Sequence, residues 1–184
     1  MFNLIEGDLL QAVHQKKITH FAHGANCWST MGAGIAGKIA QQFPALYQAD
    51  VNFHLMPEQR LGRVSGVDLP GGVRGYNLYT QFYPGPNART DMIRSSLTLM
   101  LESIAEGLVE GEYVKVGIPA IGCGIGGLQF IEVARVVHEV TYTLQQDYPG
   151  RGVELYMFVF NEQFNVERVR AAEAGYFFQV EEIA

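Results

Sequence analysis

Two glycine-rich segments constrain the fold of this chain more than any other feature of its sequence. The first covers residues 32–37 and the second residues 122–127, and both fit the pattern GxGxxG between a strand-like run and a helix-like run. Glycine lets backbone N–H groups approach a phosphate closely, and a helix that begins just beyond adds the positive end of its dipole. Two such turns in one chain indicate a ligand with two linked phosphates.

Apolar runs separated by turns predict six strands, and the segments between them predict helices. The strand-like runs contain few polar residues, which is typical of strands that helices cover on both faces. These runs are residues 1–5, 18–22, 64–69, 77–82, 113–118 and 154–160. Helical periodicity is present over residues 91–107 and 130–144, and Pro44 predicts a helix break with a separate short helix over 45–53. The order is largely β, α, β, α, which predicts an α/β fold.

The composition narrows the class of protein. A chain of 184 residues with 48% hydrophobic residues suits one domain spanning 1–184. The net charge of −6 gives no reason to expect nucleic acid, so a phosphate must be held locally by backbone amides. Because we find neither a signal peptide nor an apolar run of about 20 residues, we expect no membrane partner and a cytoplasmic location. Cys27 and Cys123 imply no disulfide framework, and we predict no metal site.

The familiar nucleotide-binding folds explain the glycine-rich segments poorly. A Rossmann fingerprint is followed about 20 residues later by an acidic residue at a strand end. Asp50 has a suitable distance from Gly32, but it falls in a helix-like segment beyond Pro44. Neither segment is followed by the Lys and Ser/Thr of a Walker A loop. A purely structural role, as tight turns that let helices pack closely, stays open.

Four segments together resemble the macro domain family in their order and spacing, namely residues 6–10, 23–27, 31–36 and 118–128. The resemblance implies a three-layer α/β/α fold with a mixed central sheet, no cofactor, and ADP-ribose or a derivative as the ligand. It implies adenine contacts from Asp8, its neighbouring amides and Phe160. It also implies that the first glycine-rich loop, residues 26–36, holds the distal ribose and one phosphate, and that the second, residues 122–128, holds the diphosphate. The ligand-binding residues so implied are Asp8, Leu9, Asn26, Gly32, Ala33, Gly34, Ile35, Ala36, Gly122, Cys123, Gly124, Ile125, Gly126, Gly127, Leu128 and Phe160.

Single positions bear on the branch of the family. The best-known mono-ADP-ribosyl hydrolases have an aspartate where this chain has Ala36. The branch that cleaves ADP-ribose from glutamate uses a lysine and an aspartate, where we align Gln81 and Gly126. Residues 23–36 are most similar to the yeast-type ADP-ribose-1''-phosphate phosphatases (Appr-1''-p processing). That similarity implies that His23 is the catalytic acid, base or nucleophile at the terminal phosphate, a role that suits a side chain with a pKa of about 6.5.

Several alternatives stay open at this point. In one, His23 is a strand-end histidine hydrogen-bonded to the backbone, without a chemical role. In another, the chain is a non-catalytic ADP-ribose reader. A third interpretation is a de-ADP-ribosylating hydrolase that acts on ADP-ribosyl esters. Trp28, the one tryptophan of the chain, either covers the distal ribose or anchors the first loop to the core.

Overall fold

A computed structural model describes residues 2–159, and in this range strands and helices largely alternate along the chain. The strands are β1 (Phe2–Glu6), β2 (His20–Asn26), β3 (Val64–Leu69), β4 (Val73–Gln81), β5 (Tyr113–Pro119) and β6 (Gly152–Val159). The helices are α1 (Leu9–His14), α2 (Gly34–Gln42), α3 (Pro44–Val51), α4 (Pro57–Arg60), α5 (Thr90–Gly107) and α6 (Phe130–Asp147). None of these helices combines the length and the hydropathy that a membrane span requires.

The strands form one mixed sheet in the order β1-β6-β5-β2-β4-β3. Strand β3 is antiparallel to β4, and the other neighbours are parallel. The carboxyl ends of five strands therefore meet at one edge of the sheet. In open α/β sheets, ligands bind at this edge, where the strand order changes direction.

Helices cover both faces of the sheet and create two apolar cores. One core lies under α5 and α6, where Leu97 and Val137 pack with Leu78 and Ile118 of the strands. The other lies under α1, α2 and α3 and contains Phe21 with side chains of those helices. Burial of one large apolar side chain stabilises a fold by about 1.5–3 kcal/mol, so both layers contribute. The predicted three-layer α/β/α arrangement with a mixed sheet is confirmed.

Strand β2 departs most from the sequence-based prediction. It begins at His20 and continues to Asn26, whereas the apolar pattern predicted a strand over 18–22. Residues 23–26 contain no β-branched side chain, but pairing with β4 keeps them extended. In that pairing Ala25 lies opposite Tyr79 and Asn26 opposite Gln81, which leaves one bulged residue in β4. The bulge lies just before both strands enter the loops at the carboxyl edge, where bulges commonly bend a strand and increase its twist.

The break at Pro44 is confirmed. Helix α2 ends at Gln42, and α3 begins with Pro44 as its first residue. Proline is favourable at this position, because the N–H that it lacks would have no partner within the helix. The separate short helix ends at Val51, two residues earlier than the predicted end at Phe53.

Candidate functional site

A cleft at the carboxyl edge of the sheet is formed by two adjoining cavities of about 360 and 350 Å³, which is within the usual size range of small-molecule sites. The first cavity is lined by residues 7–10, Lys38 and the shared wall. The second is lined by Gly24, Ala33, Ala36, Gln81, residues 120–126 and Val159. The shared wall consists of Gly34, Ile35, Pro119 and Phe158. Both glycine-rich segments therefore line one continuous cleft.

The first glycine-rich segment presents a helix N-terminus to the cleft. Ala33 is the N-cap of α2 in an extended conformation, and no side chain caps this end of the helix. The amide of Gly37 is the first that bonds back, to the carbonyl oxygen of Ala33 at 3.0 Å. The amides of Gly34, Ile35 and Ala36 have no partner among the described residues. Such uncapped amides and the helix dipole together favour an anion.

The second glycine-rich segment is a closed turn with free amides at its tip. Gly127 N donates to Gly124 O at 3.1 Å, and Leu128 N donates to Gly122 O at 2.9 Å. Gly122 and Gly127 have φ values of +77° and +82°, which side chains rarely adopt. Within the described part of the chain, the amides of Gly124 and Ile125 have no hydrogen-bond partner. This tip lines the second cavity and can also receive an anion.

Gly126 has no room for a side chain. A Cβ atom at this position would lie 2.7 Å from Ala88 Cβ and 2.7 Å from Gly122 O. The turn is also fixed from outside, because Ala88 N donates to Gly126 O at 3.2 Å. The aspartate that the resemblance implies for one hydrolytic branch would therefore not fit here without a change of the backbone.

Gln81, at the position of the lysine in that branch, is part of the wall of the second cavity. Its Nε2 atom donates to the carbonyl oxygens of Tyr83 at 2.8 Å and Gly85 at 3.0 Å. The side chain thus holds the loop after β4 and has no nucleophilic atom.

Asp8 and Leu9 lie in the first cavity, next to the end of β1. Asp8 caps α1, since its Oδ1 accepts hydrogen bonds from Leu10 N at 2.8 Å and Gln11 N at 3.3 Å. Lys38 of α2 lines the same cavity and was missed by the sequence analysis. The one sequence signal available was its position, four residues after the start of the helix that follows the first glycine-rich segment.

Phe158 is the aromatic side chain that lines both cavities. Our sequence analysis chose Phe160 for this role, and that residue lies outside the described residues. Phe158 belongs to the same apolar run and is close to the carboxyl end of β6, so the run as a whole carried the signal. The exact register of the strand relative to the cleft was needed to choose between the two.

His23 lies away from the cleft and has no exposed surface. Its Nε2 atom donates to Asn77 Oδ1 at 2.7 Å, since Asn77 Nδ2 is used as a donor elsewhere. Burial lowers the pKa of the ring, and the hydrogen bond to Asn77 and the charge of Asp50 only partly oppose this effect. A fully buried ring cannot contact a phosphate in the cleft, so the predicted catalytic role does not fit this structure.

A chain of buried hydrogen bonds begins at this pair. Asn77 Nδ2 donates to Ser65 Oγ at 3.0 Å, and Ser65 Oγ lies 3.1 Å from the Tyr79 hydroxyl. That hydroxyl donates to Asp50 Oδ1 at 2.8 Å. Burial raises the pKa of Asp50, and the hydrogen bond from Tyr79 works in the opposite direction. The network satisfies polar groups that would otherwise be costly to bury.

The network ends in the first loop at Ser29. This residue has a φ of +56°, and its Oγ donates to Asp50 Oδ1 at 3.0 Å. Arg60 Nη1 donates to Ser29 Oγ at 2.8 Å and lies 3.6 Å from Asp50 Oδ1. Asn26 was predicted to bind ribose, but its Nδ2 donates to Thr30 O at 3.0 Å and its Oδ1 accepts from Trp28 N at 3.0 Å. Its side chain therefore shapes the loop from within.

The two cysteines differ in their surroundings. Cys27 is buried, and burial raises the pKa of its thiol to about 11. Cys123 is partly exposed and lines the second cavity. In the described part of the chain, no group of three or more His, Cys, Asp or Glu side chains is arranged to hold a metal ion.

The family model described as the macro domain matches residues 22–137, which include β2, both glycine-rich segments and most of the sheet edge just described. The chain belongs to the macro domain family. A relative in Enterobacteria phage T4, an uncharacterized 17.5 kDa protein in the tk-vs intergenic region, is 34% identical over 128 residues. The matched region covers 66% of this chain and 78% of the phage protein.

Solved structures with the same fold include macro domains from bacteria and a protozoan. The macrodomain of Thermus aquaticus DarG has a TM-score of 0.70 at 25% identity and matches 86% of this chain and 98% of its own. The Trypanosoma brucei macrodomain in complex with ADP-ribose has a TM-score of 0.68 at 17% identity, with coverage of 93% and 68%. Thermosipho africanus DarTG in complex with ADP-ribose has a TM-score of 0.65 at 20% identity, with coverage of 84% and 41%. At 17% and 20% identity, the last two comparisons establish a shared fold and nothing further.

Proposed function

We propose that this macro domain binds ADP-ribose along the cleft and does not hydrolyse it. The observation that carries the proposal is that two groups of free backbone amides line one cavity. The first group is at residues 34–36 and the second at Gly124 and Ile125. A Cβ atom at Gly34 would lie 3.7 Å from Ile125 Cδ1, so the two segments approach each other at the cleft. A diphosphate is a ligand that can accept hydrogen bonds from both groups at once.

The orientation of the ligand follows from the two ends of the cleft. The first cavity offers the apolar ring of Phe158 and the polar side chain of Asp8, which suits adenine. Lys38 adds a positive charge on the way to the diphosphate. The second cavity extends to Gln81, where the distal ribose then lies. Two solved structures that share the fold, the Trypanosoma brucei macrodomain and Thermosipho africanus DarTG, are complexes with ADP-ribose, which supports this ligand.

The residues at the distal end argue against hydrolysis. The described lining of the second cavity contains Gln81 and Cys123 as its polar side chains and contains no lysine, histidine, aspartate or glutamate. General acid–base catalysis at the distal ribose needs a group of that kind within hydrogen-bond reach, and Cys123 would need such a base beside it to act as a nucleophile. The phosphatase hypothesis relied on His23, whose burial removes its support. We therefore favour a reader of ADP-ribose over an enzyme.

Calorimetry with ADP-ribose tests the binding, and Gly124→Val tests its location. A Cβ atom at Gly124 meets nothing within 4 Å, so the variant should fold, but its side chain occupies the space above the free amides. We expect wild-type protein to bind and Gly124→Val to lose binding at unchanged stability. Gly107→Val is the matched control, because this glycine at the end of α5 also has open space around its Cβ position and lies outside the cleft.

Two turnover assays test the absence of hydrolysis. We expect no phosphate release from ADP-ribose-1''-phosphate and no loss of label from mono-ADP-ribosylated protein. Failure of the wild-type protein to bind ADP-ribose would overturn the whole proposal. Turnover of either substrate would leave ADP-ribose binding intact as a proposal and show that the protein is an enzyme and not a reader.

A further inference from the structure

Two aromatic side chains at the carboxyl edge of the sheet are exposed and stacked on each other. The exposed fractions are 49% for Trp28 and 58% for Tyr83, and their ring centroids lie 6.2 Å apart with planes inclined by 7°. Phe82 packs edge-on against both rings. We call these three residues the aromatic plate. Rings of this size bury much of their surface in most proteins, and adjoining exposed ones mark interaction sites.

The backbone that carries the plate is held in place by side-chain hydrogen bonds. Trp28 N donates to Asn26 Oδ1, and the next residue, Ser29, is bonded to Asp50 and Arg60. On the other side, Tyr83 N donates to Asn87 Oδ1 at 3.1 Å, and Asn87 Nδ2 donates to Tyr83 O at 2.8 Å. A surface that is fixed before binding loses little conformational entropy when a partner arrives. The plate therefore has the rigidity of a recognition surface.

The plate adjoins the second cavity on the side of Gln81. Gln81 lines the cavity, and its Nε2 donates to Tyr83 O. Cys27 N, next to Trp28, contacts the carbonyl oxygens of Gln81 and Phe82 at 3.2 and 3.1 Å. If ADP-ribose lies as proposed above, its distal ribose points toward Gln81. A group attached to that ribose then leaves the cleft beside the plate.

The charge around the plate distinguishes between classes of partner. Residues 26–30 and 81–91 contain Arg89 and Asp91 as their only charged side chains, and these form an ion pair with each other. The two segments therefore have a formal charge of zero. Stacking surfaces for single-stranded nucleic acid are combined with cationic grooves that follow the phosphates, which these segments lack. Trp and Tyr are, in contrast, the side chains that dominate protein–protein contacts.

From this juxtaposition we infer that the aromatic plate binds the polypeptide that carries ADP-ribose, by contacting an apolar side chain next to the modified residue. The inference rests on the proposed function and adds a sequence preference, for an apolar residue beside the modified one. No covalent step is involved. The cleft supplies recognition of the modification, and the plate supplies recognition of its neighbour.

The test compares ligands that share ADP-ribose and differ in what is attached. The probes are free ADP-ribose and three molecules that carry it through a non-hydrolysable linkage: a peptide with leucine and phenylalanine flanks, a peptide with glycine and serine flanks, and a single-stranded oligonucleotide. We expect wild-type protein to bind the apolar-flanked peptide at least about fivefold more tightly than free ADP-ribose, because hot-spot contacts exceed about 1 kcal/mol. Trp28→Ala and Tyr83→Ala should remove this preference and leave the affinity for free ADP-ribose unchanged.

Intrinsic fluorescence gives a second readout, because Trp28 is the one tryptophan of the chain. The apolar-flanked peptide should protect it from acrylamide quenching more strongly than free ADP-ribose does. Tyr113→Ala is the matched control, since this tyrosine is 64% exposed at the amino end of β5, on the opposite edge of the sheet. It should retain the full preference.

Each outcome decides between the two proposals. Equal affinity for free ADP-ribose and both peptides would overturn the role of the plate and leave ADP-ribose binding intact. A preference for the oligonucleotide that Trp28→Ala abolishes would assign the plate to nucleic acid instead of protein. Lack of binding to every probe would overturn the proposed function and this inference with it.

Discussion

His23 Nε2 lies 2.7 Å from Asn77 Oδ1, and neither side chain has exposed surface. The two residues are also register partners in the parallel ladder between β2 and β4. Asn77 Nδ2 extends the contact to Leu46 O of α3 at 3.2 Å. His23 lies in a segment that resembles a phosphatase loop, but in this structure it is buried and its hydrogen bond to Asn77 links β2 and β4 to α3.

We expect His23→Ala to lower the stability of the fold and to leave the affinity for ADP-ribose unchanged. The change leaves a cavity and an unpaired Asn77 oxygen, which together cost about 2–4 kcal/mol. Urea unfolding should show this loss, and calorimetry on the folded variant should show unchanged ADP-ribose affinity. His54→Ala, at an exposed position, should stay within about 0.5 kcal/mol of wild type. An unaltered stability curve combined with loss of phosphate release from ADP-ribose-1''-phosphate would restore a catalytic role for His23.

Stability should decrease as the pH falls below about 6.5, the ordinary pKa of histidine. Burial lowers the pKa of His23, so the unfolded chain takes up a proton in this range while the folded protein does not. The contribution of His23 to the free energy of unfolding is complete above about pH 6.5. At lower pH it decreases by about 1.4 kcal/mol per pH unit for each proton that the unfolded chain binds and the folded protein does not. Asp50 acts in the opposite direction at lower pH, because burial raises its pKa and the folded protein binds the extra proton.

Urea unfolding at about pH 7.5 and about pH 5.5 measures this dependence. His23→Gln should reduce the slope without abolishing it, because burial and Arg74 also lower the pKa of His20. An identical slope in His23→Gln and wild type would show that the ring does not titrate in this way.

Two alanine substitutions in the second glycine-rich segment should have opposite outcomes. At Gly126 a Cβ atom would lie 2.7 Å from Ala88 Cβ, so Gly126→Ala should cost about 1–3 kcal/mol and weaken ADP-ribose binding by displacing the turn. At Gly124 nothing lies within 4 Å, and Gly124→Ala should unfold like wild type. Thermal unfolding of both variants, followed by calorimetry, tests the difference. Equal stability of the two would contradict the close contact at Ala88.

The two thiols should react at different rates with an alkylating reagent. The thiolate is the reactive form, and burial raises the pKa of Cys27 to about 11, so this residue should be labelled slowly. Cys123 should be labelled first, and ADP-ribose should protect it because it lines the second cavity. Mass spectrometry of the labelled peptides, with Cys123→Ser as the control, measures both rates. Labelling of Cys123 that ADP-ribose does not slow would place the ligand elsewhere.

Features that depend on local chemistry were predictable from the sequence. Strand β3 was predicted with its observed bounds, and the helix break at Pro44 follows from the geometry of proline. The glycine-rich segments were correctly placed between a strand and a helix, because few other residues allow such turns. Strand β2 was truncated in the prediction, since residues 23–26 form a strand only through pairing with β4.

The site required information that is not local. The partner of His23 is 54 residues away, so its burial could not be read from the surrounding motif. The same is true of Lys38 and Phe158, whose places in the cleft depend on how α2 and β6 approach each other. The stacking of Trp28 on Tyr83 joins two loops that are distant in sequence. Backbone turns are thus predictable where side-chain partners are not.

The buried chain of hydrogen bonds from Asn77 to Ser29 ties the loop that carries Trp28 to the core of the sheet. Opening this loop at Ser29 would remove one hydrogen bond from the buried carboxylate of Asp50 and one from Arg60, and lost partners of buried charged groups are costly. Amide hydrogens of this loop should therefore exchange more slowly than those of surface loops without such contacts. A substitution that weakens the network at Asp50 should speed that exchange as well as lower the stability of the sheet.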